Sequence, residues 1–409
     1  PSGTCEQEGI LRMAKKRRAP RSASRAILWN SNSPWARSGY GGQTAQVTTR
    51  LQAAGHRLAI ASNHGLEGTT LDWHGIRQYP RGFDIHSNDV VPAHYQAWAH
   101  ENADLDPLLV TLYDVYVFNG PQWDAIPQIA SWVPIDHTPV PPKVAAWCGR
   151  RNVTPLAMSR FGEAMLANAG IDSIYVPHGI DPIFKPTPSI TAGGNTLTGR
   201  EFMGIEEDRF VFGMVSANKG MVPNRKSFPE TFLAFAMFAK HHPDAVLYVH
   251  TEDRGAMSGI NLLELAAACD LKTDQLKFVD QYVFRSGVGN DLLAAIYTAM
   301  DCLLIPSMGE GFGIPQVEAQ ACGTPVICTN TTASPELLGD GWLVEGQPWW
   351  DAMQTSWMVT PSVPSLIEAM EAAYARGRGR SQIAQDFASQ YGADFVFNNY
   401  WLPAMEALR

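Results

Sequence analysis

Along this chain, short unbroken apolar runs alternate with longer stretches of helical period, and glycine, proline or polar residues punctuate the joins. Residues 26–29 and 58–61 are apolar runs too short for helices and predict strands, with a helix over 43–54 between them. That is a βαβ opening. Runs at 108–110, 131–135 and 154–159 predict further buried parallel strands, a helix ends near Gly170, and 174–177 closes the first half. The rhythm then restarts. Strands are predicted at 210–215, 245–250, 302–306 and 325–328, with helices at 229–240, 262–269, 291–299, 315–322 and 365–375.

Two such arrays in tandem predict an α/β chain of two Rossmann-like doubly wound domains facing across a cleft, at about 26–185 and 186–380. A length of 409 residues also exceeds what one core usually organises. The Gly/Thr/Pro-rich stretch up to about Gly199 reads as the interdomain connection. The Trp- and Tyr-rich end, 387–408 within 381–409, reads as a helix with a large apolar face that returns to the first domain.

The net charge of −9 is unevenly spread, because residues 1–25 hold seven Lys and Arg against two Glu. This opening reads as a basic, disordered, solvated tail or start-site remnant, with nucleic-acid or anionic-membrane contact the sharper alternative. The acidic remainder speaks against a protein that grips nucleic acid with its whole surface. Apolar runs break well before the length of a membrane span, so no transmembrane helix is expected, and peripheral membrane contact stays open. Cys5, Cys148, Cys269, Cys302, Cys322 and Cys328 form no Cys-x-x-Cys pair, which predicts no metal site and a reducing, cytoplasmic setting.

Candidate chemistry gathers where strands end. The turn 38–42 contains Gly39, Gly41 and Gly42, whose amides suit an anion at the start of a helix, although a tight bend alone would also need glycine. Asp136 and His137 follow the strand at 131–135. The most informative stretch is 306–326, where Gly309, Gly311 and Gly313 precede Pro315, a residue suited to the first helical turn. Glu310 lies in that loop and Glu318 is expected within the first turn, and each carboxylate can accept charge-assisted hydrogen bonds from hydroxyls. Taken singly, Glu310 could be a solvated loop charge and Glu318 a complement to the helix dipole.

Glu310 and Glu318 with Gly-Phe-Gly-Ile-Pro between them and Glu-Ala-Gln-Ala-Cys-Gly-Thr-Pro-Val from Glu318 onward closely resemble the signature of the family 4 (group 1) retaining glycosyltransferases of GT-B fold. Pro335-Glu336-Leu337-Leu338-Gly339 continues the pattern, and 176–181 with Phe184 and Pro186 is similar to that family's domain-joining segment. The resemblance implies transfer of a sugar from a UDP-, GDP- or ADP-linked donor to an acceptor hydroxyl, with no cofactor and no protein-bound metal. It assigns Glu310 to hydroxyls of the donor sugar, Glu318 to the ribose, and the amides of Phe312, Gly313 and Ile314 to sugar and phosphate. Lys219, Arg225 and Lys226 compete for the diphosphate, Lys226 foremost, because a departing nucleoside diphosphate needs fixed cations. Asp136 or His137 would lie near the anomeric carbon, and 280–283 is a base-side loop.

Base and acceptor are not legible; lipid, glycan, protein, small molecule and nucleic acid all stay open. A sugar-nucleotide epimerase or phosphorylase of the same fold would turn donor over without acceptor, and a non-catalytic sugar-nucleotide-binding protein would never turn it over.

Overall fold

The computed structural model describes residues 24–192 and 194–409. The basic run from Arg12 to Arg21 and Cys5 lie outside the described residues. The first lobe is one eight-stranded sheet: β1 (Arg25–Ser31), β2 (Arg57–Ser62), β3 (Leu71–Trp73), β4 (Ile76–Tyr79), β5 (Asp106–Leu112), β6 (Ile129–Val133), β7 (Val153–Ala157) and β8 (Ile174–Tyr175). Its order is β3-β4-β2-β1-β5-β6-β7-β8, parallel except for the β3–β4 pair. After a small antiparallel pair, β9 (Ser189–Ala192) and β10 (Asn195–Thr198), the second lobe is a parallel six-stranded sheet. It comprises β11 (Phe210–Val215), β12 (Ala245–His250), β13 (Leu276–Phe278), β14 (Cys302–Ile305), β15 (Val326–Thr329) and β16 (Gly341–Val344), in the order β13-β12-β11-β14-β15-β16. A hairpin, β17 (Gly346–Asp351) and β18 (Ser356–Pro361), follows.

Helices cover both sheets: α1 (Gly39–Ala53), α2 (Val91–Glu101), α3 (Pro142–Cys148) and α4 (Arg160–Asn168) in the first lobe, then α5 (Gly199–Met203), α6 (Phe228–Phe238), α7 (Leu262–Ala268), α8 (Gln281–Ser286), α9 (Asn290–Ala299), α10 (Ile314–Ala321) and α11 (Val363–Arg376). Central strands are buried on both faces, which is why they read as continuous apolar runs. The core has three parts. One lies on the outer face of each sheet, and a third runs from Trp29 and Trp132 through Ile180 to Phe312 and Val211, joining the lobes.

The chain end returns to the first lobe in pieces: α12 (Gln382–Ser389) still packs on α10 of the second lobe, and α13 (Ala393–Val396), a π-turn at Phe397–Trp401 and α14 (Leu402–Ala407) lead onto the first. Two expectations change here. The single helix over 387–408 is interrupted at Tyr391–Gly392, where the backbone instead bonds Ile180 (Ile180 N to Tyr391 O, 2.8 Å; Ala393 N to Ile180 O, 2.9 Å). The stretch before Gly199 is not plain linker, since β9–β10 and the Thr198 capping box of α5 organise it. Arg25, grouped above with the tail, opens β1: its buried guanidinium lies 2.6 Å from Asp106 and donates to the Leu408 carbonyl at 3.0 Å. Among the described residues, Cys148, Cys269, Cys302, Cys322 and Cys328 are free thiols, and no helix is long and apolar enough to cross a membrane.

Candidate active site

In each sheet the strand order reverses between two strands, β1/β5 and β11/β14, and a crevice opens at the carboxyl ends of such a pair. The loops leaving these ends carry most of the residues singled out above. In the first lobe, α1 follows β1, Asp114 stands just past β5, and Asp136 and His137 follow β6. In the second, Lys219, Arg225 and Lys226 lie between β11 and α6, and Glu310 lies between β14 and α10.

The two sets meet because the second-lobe loop has glycine where the lobes touch. A Cβ on Gly309 would sit 2.2 Å from the Asp136 carbonyl oxygen, and one on Gly311 would sit 2.4 Å from Pro134. Side chains there would drive the loops apart.

Across this contact the charges alternate. Lys226 Nζ binds Glu310 Oε1; Arg225 lies 3.5 Å from Glu310 Oε2 and 3.7 Å from Asp136 Oδ2, and also donates to the Gly309 carbonyl. His137 then stands between Asp136, 2.7 Å from Nδ1, and Asp351, 3.3 Å from Nε2. Burial works against ionisation of Glu310, but Lys226 and Arg225 outweigh it and hold its carboxyl below the usual value. Burial likewise opposes Asp136, whose pKa His137 and Arg225 nevertheless lower. The His137 pKa rises despite burial, because two carboxylates face the ring.

Other expected residues have different surroundings. The amides of Gly41 and Gly42 are taken up within the turn: Gly41 donates to the Ser38 side chain at 3.1 Å and Gly42 to the Ser38 carbonyl at 3.0 Å. Gly41 is needed for packing instead, since a Cβ would lie 2.1 Å from the Ala36 carbonyl. The Phe312 ring is buried edge-on to His178 and Tyr391, inside the core that joins the lobes. Gly313, at φ 110°, takes a left-handed turn that few other residues adopt, and Ile314 opens α10, whose start no side chain caps. Of the leading residues of α10, Pro315 has no N–H and the Gln316 amide donates to the Gly313 carbonyl at 3.0 Å, which leaves the Ile314 amide at the positive end of the helix dipole. Lys219 is exposed at the rim. In 280–283, Asp280 caps α8 by accepting from the Val283 amide at 2.9 Å, and Tyr282 is exposed.

Glu318 is not in the first helical turn. It is the fifth residue of α10, one turn in, where it accepts from the Tyr297 hydroxyl at 3.0 Å. Burial raises its pKa to about 7, against the Tyr297 bond and with a smaller push from Asp181. If hydroxyls of a nucleotide donate to this carboxylate, binding needs its ionised form. Nucleoside diphosphate affinity is therefore expected to weaken as pH falls below about 7, beyond any change in Glu318→Gln, with the two proteins titrated in parallel by calorimetry.

Two residues of consequence, Asp114 and Asp351, carry no motif, and a third, Glu336, belongs to the 335–339 motif without an assigned role. Asp114 lies just beyond β5; burial, then Asp136, raises its pKa to about 6, with Arg225 and a bond from Tyr40 countering. The strand-end rule that singled out Asp136 could have found it. Asp351 belongs to a hairpin that the α/β rhythm does not announce. Glu336 accepts from the amides of Arg160 and Phe161, both at 2.8 Å, so it caps α4 across the lobes and stands away from the charged row.

A profile of the family "Glycosyl transferases group 1" matches residues 219–375. The chain is 46% identical over 57 residues to an O-antigen chain mannosyltransferase B of Escherichia coli, covering 14% of this chain and 15% of that protein. It is 34% identical over 144 residues to a D-inositol 3-phosphate glycosyltransferase of Mycobacteroides abscessus, covering 34% and 32%. The matches thus span less than a third of the length of these two relatives. In fold, it is similar to a sucrose-phosphate synthase from Thermosynechococcus elongatus, with a TM-score of 0.70 and 16% identity over 94% of this chain and 99% of that one. Residues 219–375 are thus similar to the group 1 glycosyltransferases, and the two facing sheets with a chain end that crosses back have the GT-B fold.

Proposed function

We propose that this chain transfers a sugar from a nucleoside diphosphate sugar to an acceptor hydroxyl, with retention at the anomeric carbon. The observation that carries the reading is the meeting of Lys226, Arg225 and Glu310 at one crevice with Asp114 and Asp136 at the other. Departure of a nucleoside diphosphate develops negative charge. Lys226 is a cation fixed by Glu310, with Lys219 at the rim and the positive end of the α10 dipole on the same side, so that charge grows into a prearranged field and no protein-bound metal is assigned. Glu310, between Lys226 and Arg225, accepts hydrogen bonds from the donor sugar. Glu318, a turn further along α10, accepts from the ribose. Arg225 links donor and acceptor sides through its contacts with Glu310 and Asp136.

A panel of UDP-, GDP- and ADP-sugars in a thermal-shift assay should single out one nucleotide, because a ligand that binds only the folded state raises its stability by mass action. The donor found in this way, incubated with candidate acceptors, should give a product whose anomeric proton coupling matches that of the donor. Inverted coupling would overturn retention. Conversion of donor without any acceptor would point to an epimerase or phosphorylase, and binding without turnover across the acceptor panel would point to a sugar-nucleotide-binding protein.

A further inference from the structure

The β17–β18 hairpin belongs to the second half of the chain, yet it is fastened to the first lobe at the strand end that carries Asp136. Thr138 and Trp357 exchange backbone hydrogen bonds at 2.9 and 3.0 Å, and the Ser356 hydroxyl donates to the Pro139 carbonyl. On its other side the Val359 amide donates to the Met308 carbonyl at 2.9 Å, beside the loop of Glu310. The hairpin therefore spans both banks of the cleft. Its Asp351, about nine-tenths buried, reaches Nε2 of His137, itself 4% exposed, while Nδ1 of the same ring meets Asp136.

We propose that Asp351 is a positioning residue of the transfer site, holding His137 as an imidazolium that fixes Asp136 against Arg225 and clasps the two lobes. The inference rests on the transfer reading above for its consequence in turnover. A neutral imidazole carries one N–H, so both carboxylate contacts are hydrogen bonds only when the ring is protonated. The groups that face it are Asp136 from its own strand end, Asp351 from the hairpin and, behind Asp136, Arg225 with Glu310 from the second lobe. When the ring loses a proton, the shorter Asp136 contact keeps the remaining N–H, and Nε2 turns a lone pair toward the Asp351 carboxylate. Attraction becomes repulsion, and the clasp opens as pH rises.

The test measures His137 and turnover separately. His137 ring resonances, assigned by their loss in His137→Gln, are titrated in the wild type, in Asp351→Asn and in Ser356→Ala. Asp351→Asn should make His137 titrate at least about one pH unit lower, since an opposite charge at this range moves a pKa by one to three units. Ser356→Ala loosens the hairpin without touching the charges and should leave that titration in place. In turnover, Asp351→Ala should lower kcat roughly tenfold, the loss of one bond to a charged group, with donor affinity unchanged because Asp351 bonds His137 and none of Lys226, Glu310 and Glu318. Asp351→Asn, whose amide can donate to a neutral ring, should lose the alkaline fall in kcat. An unmoved His137 titration in folded Asp351→Asn overturns the proposal, as does a Ser356→Ala pH profile altered in the same way. Failure of the wild type to turn over any donor would instead overturn the transfer reading, while the titration still reports on the clasp.

Discussion

Glu310→Ala should abolish most transfer while leaving free nucleoside diphosphate bound as well as before, or better. In the free protein Glu310 neutralises Lys226 and Arg225. Removing it leaves two cations beside the diphosphate position with one counter-charge fewer, so the nucleotide loses nothing. The sugar loses the acceptor that positions it for departure, and such bonds are strongest in the transition state. One of them in a closed site is worth about 2–4 kcal/mol, roughly a 30- to 1000-fold loss in kcat/KM. Glu318→Ala should behave oppositely, weakening donor and free nucleotide alike, because both carry the ribose. Calorimetric titration of each variant with free nucleotide, beside a turnover assay, separates the two assignments. Equal loss of nucleotide affinity in both variants would sink them. Glu310→Gln guards against misfolding, since it keeps the shape and should still lose turnover.

How much of this was legible follows from which signals are local. The buried strands 26–29, 108–110, 210–215, 245–250 and 302–306 stood out because both faces of a central parallel strand are covered, leaving no polar interruption. Glu310 was found in a glycine-rich loop at a strand end and Lys226 through the family resemblance, and the fold brings them together. Asp114 was missed although it obeys the same rule, because a single Asp after a strand makes no pattern until the strand order places it at a reversal. Asp351 could not be read. Gly346–Asp351 and Ser356–Pro361 alternate weakly and pair antiparallel outside both sheets, and only tertiary contact with Thr138 shows what the hairpin touches. The glycines in 38–42 left two readings open because amide geometry depends on where a helix starts: α1 begins at Gly39, and the cap at Ser38 takes up the amides of Gly41 and Gly42.

The returning chain end can be tested by its own anchor. Trp401, 1% exposed, packs with ring centroids 4.8 Å from Trp132 and 5.6 Å from Trp29, so three indoles join the chain end to the centre of the first sheet. Trp29 and Trp132 satisfy their N–H groups on Thr44 and on the Val176 carbonyl, whereas the Trp401 N–H is buried without a partner. Its contribution is therefore area and shape. Trp401→Ala removes a large buried side chain from a site that cannot collapse, because sheet strands form its floor, and should cost about 3–5 kcal/mol. For a lobe of this size that lowers Tm by on the order of 10 °C. Trp401→Phe should cost much less, since the ring still fills most of the space and an unsatisfied N–H disappears. Calorimetry of the three proteins reads the difference, and hydrogen exchange should show early opening of α13 and α14 in Trp401→Ala alone. Equal losses in both variants would mean that the indole N–H makes a bond that matters. No loss in Trp401→Ala would mean that the chain end is held by the Arg25 and Gln128 bonds to the Leu408 carbonyl and not by the indole cluster.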